Sequence, residues 1–376
     1  VTRAIFHAPL KPPDHPDPSG DREMARLLLK ALDRAGIAVE TPCPLRMFDR
    51  GGDPALMRRL SDEARRAAQA YVDEVRRRVP EDRPDTVLTY HVHYKAPDVF
   101  GPAVADALAL PYVVVEGSRA PKRAGGAWRL GHELAEAALD RADAVLIVNA
   151  RDRAMLERFR PPGQALVDFP PFLDADAWPT AERPRTSPGS PPRLLAVAMM
   201  RPGDKLASYR LLAASLELLA GHRWVLHVAG DGPARAEVEA AFRPFADRVT
   251  MLGELDRLAL ARAYASADLL VWPAVNEAFG MVFLEAALFG CPALAGAYGG
   301  VPGVIRDGVT GLLAEPGNVN DFTDKLTTLL QNSARLSRLG ESARADVLAA
   351  RGLDAAARRL RDALEAGRAA HLERSA

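Results

Sequence analysis

Two acids separated by seven residues, Glu277 and Glu285, stand in ADLLVWPAVNEAFGMVFLEAA at 267–287. Their chemistry has three readings: a loop acid beside a helix-surface acid, a paired acid and base for hydrolysis, or two anchors on one polar ligand. The spacing argues against the pair, because eight helical residues rise roughly 12 Å, whereas glycosidase carboxylates sit about 5 to 9.5 Å apart. Glu285 lies among Phe283, Leu284, Ala286 and Ala287, where an unpaired carboxylate is costly. A diol such as a ribose would satisfy its oxygens. The same stretch reads as a strand, Leu269 to Trp272, closed by Pro273, then a loop with Asn276 and Glu277. Phe279-Gly280-Met281 leads into a helix whose first N–H groups point unsatisfied toward that loop.

Cations come from AVAMMRPGDKLASYRLL, where Arg201 and Lys205 are read in the loop between a strand and a helix. They are either solvated charges or the partners of a leaving diphosphate, on which negative charge builds as its bond to a sugar breaks. Only six lysines are present, Lys11, Lys30, Lys95, Lys122, Lys205 and Lys325, so one inside a motif is informative. Gly230-Asp231-Gly232-Pro233 resembles a dinucleotide fingerprint but has Arg235 where the third glycine should be. A tight turn is the favoured reading, and a nicotinamide dehydrogenase is disfavoured. Leu252, by position, borders a base. Gly299 to Gly303 reads as a structural turn. Asp174 and Asp176 form a D-x-D, weighed as a metal–diphosphate site against a turn.

The first half offers fewer groups. Gly20, in Ser19-Gly20-Asp21, precedes a helix; His91 and His93 end a strand; Glu116 and Ser118 end the next. Strand carboxyl ends are where doubly wound sheets bind ligands. Arg119, Lys122, Arg123 and Arg129 make a basic cluster across 119–129, read as a site for an anionic acceptor, for lipid headgroups, or as a solvated loop.

These residues need elements to hold them. Strands alternate with helices in both halves, the pattern of parallel sheets covered on both faces. The first half reads as strands at Arg3–Ala8, Ile37–Glu40, Thr86–Tyr90, Tyr112–Val115 and Ala144–Val148. The Pro- and Ser-rich PPFLDADAWPTAERPRTSPGSPPR then breaks the rhythm. The expected organisation is a first domain at 1–173, a linker at 174–192, a second domain at 193–350, and a C-terminal helix at 351–376 that packs back on the first domain. A chain of 376 residues is long enough for two such domains. Basic and acidic residues balance at 49 each, which argues for neither nucleic acid nor membrane. Cys43 and Cys291 lie far apart, without metal-type spacing. The cytoplasm is the expected compartment, with peripheral membrane contact left open.

NEAFGMVFLEAALFGCPALAGAYGGVPGVIRDGVTGLL resembles the E-x7-E region of the retaining glycosyltransferases of family 4. The resemblance covers most of the second half and, more weakly, the first. It implies the GT-B fold, an α/β architecture of two doubly wound Rossmann-like domains facing a central cleft. It further implies that Glu277 contacts the donor sugar, that Glu285 binds the ribose, and that the backbone from Ala278 through Phe279 and Gly280 to Met281 faces sugar and diphosphate. Arg201 and Lys205 would hold the diphosphate, with Gly230 near the nucleotide. Asp174 and Asp176 would form a structural turn. Gly20, His91, His93, Glu116 and Ser118 fall on the acceptor side. The chain departs from the family at Met200, where glycine commonly stands, in the Arg201–Lys205 gap, at Gly303, where an acid often follows the proline, and at Glu116, near a common histidine. A second glycine is also missing beside Gly20. The expected function is a metal-independent retaining transfer from a nucleotide-diphosphate sugar to an acceptor hydroxyl, needing no cofactor. The alternatives are a nucleotide-sugar epimerase of GT-B architecture and a non-catalytic nucleotide-sugar-binding protein.

Overall fold

Each half of the chain builds one parallel sheet, and the order of its strands decides where a ligand can sit. The computed structural model describes residues 2–17, 19–184 and 189–375. Two compact units result, Val1–Pro170 with Leu353–Ala376, and Pro171–Gly352.

In the first unit the strands are β1 (Arg3–His7), β2 (Ala38–Glu40), β3 (Thr86–Val92), β4 (Tyr112–Gly117), β5 (Ala144–Ile147) and β6 (Ala165–Asp168). The helices between them are α1 (Gly20–Arg34), α2 (Pro54–Arg77), α3 (Phe100–Leu108), α4 (Arg129–Arg141) and α5 (Ala150–Arg158). The sheet runs β2-β1-β3-β4-β5-β6. All its pairings are parallel. β4 is buried along its whole length, as a strand covered on both faces must be. α2 buries Met57, Ser61, Ala64, Ala68, Tyr71, Val72 and Val75, one stripe at helical spacing, and leaves its arginines in water.

In the second unit the strands are β7 (Arg193–Val197), β8 (Val225–Ala229), β9 (Val249–Gly253), β10 (Leu269–Trp272), β11 (Ala293–Gly296) and β12 (Gly311–Ala314). The helices are α6 (Asp204–Glu217), α7 (Arg235–Phe242), α8 (Arg257–Ser266), α9 (Met281–Leu288), α10 (Val319–Leu330) and α11 (Ser333–Ala350). Here the order is β12-β11-β10-β7-β8-β9, also parallel throughout. Leu269, Leu270, Val271 and Trp272 of β10 are all buried, and each such aliphatic side chain contributes roughly 1.5–3 kcal/mol. Tyr209 meets Trp272 edge-on at 4.9 Å and Phe242 at 6.3 Å, fixing α6 and α7 to the sheet.

Several boundaries differ from the sequence reading. β6 and α5 were not expected; Asn149 caps α5 by accepting from the Arg151 N–H. The segment read as a linker at 174–192 does not run free. The unit boundary falls at Pro170/Pro171, and Trp178 packs edge-on against Tyr264 at 6.0 Å and Phe289 at 5.7 Å. Residues 185–188 of that segment lie outside the described residues. The last helix, α12 (Leu353–Ser375), belongs to the first unit. Arg374 donates to the Ala142 carbonyl at 2.9 Å, and His371 Nδ1 sits 3.2 Å from the buried Asp143 carboxylate.

Candidate functional site

Strand order reverses between β7 and β10 in the second unit and between β1 and β3 in the first. Loops leaving neighbouring strands in opposite directions open a crevice at such a point. The sequence-derived residues gather at both crevices, and each crevice is described within its own unit.

In the second unit the β7–α6 loop carries Arg201 and the β10–α9 loop carries Glu277. Lys205, expected in a loop, lies instead in the first turn of α6, because the helix starts at Asp204. Its Nζ pairs with Glu277 Oε2 and stands 5.6 Å over the Trp272 ring. Trp272 Nε1 lies 3.4 Å from the same carboxylate oxygen. Asn276 donates to Asp204 Oδ1 at 3.0 Å, and the Val275 N–H donates to Ser208 Oγ at 2.9 Å, so the acidic loop is tied to the start of α6. Arg201 is exposed. Helical rise does not separate the two acids as expected: Glu277 precedes α9, and the chain turns through left-handed residues at Ala274, Asn276 and Gly280.

The glycines here set close approaches. Gly280 has φ 73°, and an added Cβ would lie 2.4 Å from the Phe283 ring. Gly300 donates to the Ala278 carbonyl at 2.8 Å, so the turn after β11 buttresses the loop carrying Glu277. Gly230 and Gly232 lie against the carbonyls of Ala198 and Met200, where a Cβ would come within 1.9 and 2.4 Å. Met200 N–H donates to the Asp231 carbonyl at 2.8 Å. That turn therefore holds the backbone beside Arg201. Gly230 N–H also donates to the Gly253 carbonyl at 2.7 Å, bringing the end of β9, with half-buried Leu252, beside it.

Glu285 sits in the middle of α9. Its Oε2 accepts from the Tyr264 hydroxyl at 2.8 Å. Burial pushes its carboxyl pKa up, against the Tyr264 hydrogen bond and the Arg257 charge, which pull it down. Arg257 stacks over Trp178 at 5.7 Å. Tyr264, Trp272, Ser208 and Asp204 were missed in the sequence. Only Asp204, directly after Gly203 at a helix start, carried a local signal.

In the first unit Asp21, in the first turn of α1, holds His91 Nδ1 at 3.0 Å. His91 Nε2 lies 3.7 Å from Glu116 Oε1. Burial opposes charge on His91, but Glu116 and Asp21 outweigh it and raise its pKa to about 9. Burial, with Asp21 and Asp152 adding to it against His91, pushes Glu116 up to about 7. His93 stands edge-on to His91 at 4.8 Å. Its Nδ1 accepts from the N–H groups of Lys95 and Ala96 at 3.2 and 3.1 Å. Burial and the His91 charge depress its pKa to about 3, so His93 is neutral. Ser118 donates to Asp152 Oδ1 at 2.7 Å. His91 and Glu116 both hold left-handed backbones, φ 64° and 63°, which costs on the order of 1–3 kcal/mol each. Gly20 is exposed at the first position of α1.

The basic cluster does not make an anion cradle. Arg119 is buried against Glu136 and Asp140, Arg129 pairs with Glu133 at 3.4 Å, and Arg123 stacks over Tyr94 at 5.3 Å. Lys122 is exposed. Asp174 caps a short turn by accepting from the Ala177 N–H at 3.3 Å. Among the described residues no group of three or more His, Cys, Asp or Glu side chains could hold a metal ion.

Two parallel doubly wound units of this kind define the GT-B class of fold. Solved structures agree: sucrose-phosphate synthase from Thermosynechococcus elongatus matches with a TM-score of 0.70 at 20% identity, over 96% of this chain and 98% of that one. Anabaena Alr3699/HepE, solved with UDP and glucose, matches with a TM-score of 0.67 at 15% identity, over 97% and 100%. Residues 183–346 match the family described as glycosyl transferases group 1. The match lies within the second unit. Among named relatives, the sulfoquinovosyl transferase SQD2 of Arabidopsis thaliana is 36% identical over 165 residues, 43% of this chain and 31% of that protein. A D-inositol 3-phosphate glycosyltransferase of Mycobacteroides abscessus is 34% identical over 202 residues, 51% of this chain and 45% of that protein. The chain thus spans less than half the length of these relatives. No helix among the described residues is long and apolar enough to cross a membrane.

Proposed function

We propose that the chain transfers a sugar from a nucleoside diphosphate sugar to an acceptor hydroxyl, with retention of configuration and without a metal ion or other cofactor. The observation that carries this reading is the convergence, inside the matched family region, of Lys205, Glu277 and the helix starts of α6 and α9 at one crevice. Among the described residues neither helix start carries a side-chain cap; Leu206 and Phe283 donate to the Arg201 and Gly280 carbonyls, which leaves the N–H groups of the two residues before each to meet a diphosphate. Arg201 and Lys205 neutralise that diphosphate as it leaves. Glu277, on exchanging Lys205 for ligand, orients the sugar hydroxyls, with the backbone of Ala278, Phe279, Gly280 and Met281 beside it. Glu285, positioned by Tyr264, takes the ribose diol; Gly230 and Leu252 border the nucleoside. The acceptor hydroxyl attacks from the face the diphosphate leaves, and the leaving phosphate takes its proton. Charge stabilisation and positioning then supply most of the rate. Gly20, His91, His93, Glu116 and Ser118 serve the acceptor, and contact with a membrane surface is peripheral.

A thermal-shift screen of nucleotide sugars tests the class. UDP-glucose, bound in a solved Anabaena structure, is the first probe, and slow donor hydrolysis is followed for each hit. Glu285→Ala is expected to weaken the hit's affinity by about tenfold or more, the factor that about 1.4 kcal/mol represents, while the unfolding temperature holds. Unchanged affinity in a calorimetric titration would sink the ribose assignment.

A further inference from the structure

The acceptor residues carry a charge balance that selects a substrate class, an inference that rests on the glycosyl transfer proposed above. At the β3 and β4 ends three carboxyl groups, Asp21, Glu116 and Asp152, surround the single imidazolium of His91. Asp21 and Glu116 already share that imidazolium. His93 is neutral. The nearby cations are committed elsewhere: Arg119 to Glu136 and Asp140, and Lys95 to the faces of Tyr94 and Trp128 at 5.7 and 5.4 Å. Asp152 receives only the neutral Ser118 hydroxyl. The neutral Tyr90 phenol hydrogen-bonds to the Glu116 carboxyl.

Glu116 supplies a second, separate observation. It is 7% exposed; beyond the Tyr90 hydrogen bond to its carboxyl, its Oε2 has no partner within hydrogen-bond distance among the described residues. A buried carboxylate oxygen left unpaired is expensive, and the left-handed backbone that aims this side chain adds to the cost. Both costs are offset by a ligand that brings a positive charge and N–H donors. An anionic acceptor would meet uncompensated carboxylates there, a repulsion that rejects it.

We infer that the acceptor half takes a small hydroxylated amine, whose ammonium sits among Asp21, Glu116 and Asp152 while a neighbouring hydroxyl is presented for glycosylation. The phosphate in the names of the inositol-phosphate relatives is the opposite chemistry.

The test is a binding comparison at pH 7 between glucosamine, glucose and glucose 6-phosphate, read by saturation-transfer NMR on the full chain. Glucosamine is expected to bind at least about tenfold more tightly than glucose, and glucose 6-phosphate more weakly than either. Glu116→Gln should bring glucosamine down to the level of glucose. Asp152→Asn, at a half-buried position, should lower the same ratio and guards against misfolding of the first variant. Equal binding of glucosamine and glucose, tighter binding of the phosphate, no binding of glucosamine, or a ratio that survives both substitutions would each overturn the inference. Titration of the same samples with UDP separates this from the donor reading. A lost amine preference with intact nucleotide binding refutes only the acceptor class. An intact preference without nucleotide binding refutes the glycosyl transfer instead.

Discussion

The two crevices share a topology and differ in how their helix starts and charges are arranged. In the second unit the helices that open on the crevice, α6 and α9, follow Gly203 and Gly280 and carry no side-chain cap among the described residues. In the first, Ser19 caps α1, and at the start of α3, after β3, the Gly101 N–H donates to Asp98 Oδ1 at 2.8 Å. An open helix start attracts an anion, and a capped one has already spent part of that potential. Side chains extend the contrast, with Arg201 and Lys205 balanced by Asp204 and Glu277 at one crevice and three carboxyls about one imidazole at the other. Within the second unit α8, α10 and α11 are capped by Asp256, Asn318 and Asn332. Among the described residues α7, after Ala234, is uncapped as well, so what sets α6 and α9 apart is the glycine that precedes each of them. Backbone strain marks both crevices: of five non-glycine residues with positive φ among those described, His91 and Glu116 stand at one, and Ala274 and Asn276 at the other.

The largest effect should come from removing the cation at the open helix start. Lys205→Ala is expected to lower affinity for the nucleoside diphosphate by about a hundredfold, the loss that roughly 2.7 kcal/mol represents, and for the free nucleoside hardly at all. Asp21→Asn should leave both affinities unchanged. Calorimetric titration of the two variants with both ligands checks the pair. Equal losses for diphosphate and nucleoside would mean that Lys205 holds the loop rather than the phosphate.

The first crevice should betray itself through pH. A histidine whose native pKa exceeds its ordinary value adds stability that is complete below the ordinary value and lost as pH rises through the native one. For His91 that window runs from 6.5 to about 9. Glu116, pushed up to about 7, works in the same direction, because ionising it disfavours the folded state. His93, depressed to about 3, acts on the acid side, below 6.5. Protection of the 86–92 and 112–117 amides from hydrogen exchange should therefore weaken between pH 6.5 and 9, after correction for intrinsic exchange, by on the order of 1–3 kcal/mol. His91→Asn, which tolerates the left-handed backbone, should flatten that dependence. Parallel profiles for the two proteins would refute the coupling.

What the sequence made legible follows from how local each signal was. Alternating strands and helices exposed both sheets, because fully buried parallel strands such as YVVVEG and LLVW are short apolar runs closed by turn residues. β6, ALVD, escaped notice because its burial is incomplete at an edge. The acids and cations of the second unit's crevice could be singled out because they stand in two short stretches, each running from a strand end into the next helix. Tyr264 was not, since it meets Glu285 across two helices and nothing within its own segment distinguishes it from a core aromatic. Asp152 was hidden with α5 itself. The basic cluster misled because its partners, Glu136 and Asp140, lie on the following helix, where sequence distance conceals the pairing. The linker misled for a similar reason: proline-rich composition says nothing of Trp178 finding an aromatic cluster more than 80 residues onward.

The smallest effect separates a glycine that the fold requires from one that it merely tolerates. Gly20 was singled out beside Gly280 as part of a ligand loop, yet its backbone is ordinary and a Cβ there would meet nothing within 4 Å. Gly20→Ala should therefore be neutral or stabilising by about 0.4–1 kcal/mol, through reduced freedom of the unfolded chain. Gly280→Ala faces both a left-handed φ of 73° and the Phe283 ring at 2.4 Å, and should be destabilising by on the order of 1–3 kcal/mol. Thermal unfolding of the two variants decides it. A Gly20→Ala variant that keeps its stability but loses glycosyl transfer would show that the first crevice, too, needs bare backbone against its ligand, and would erase much of the contrast between the two halves.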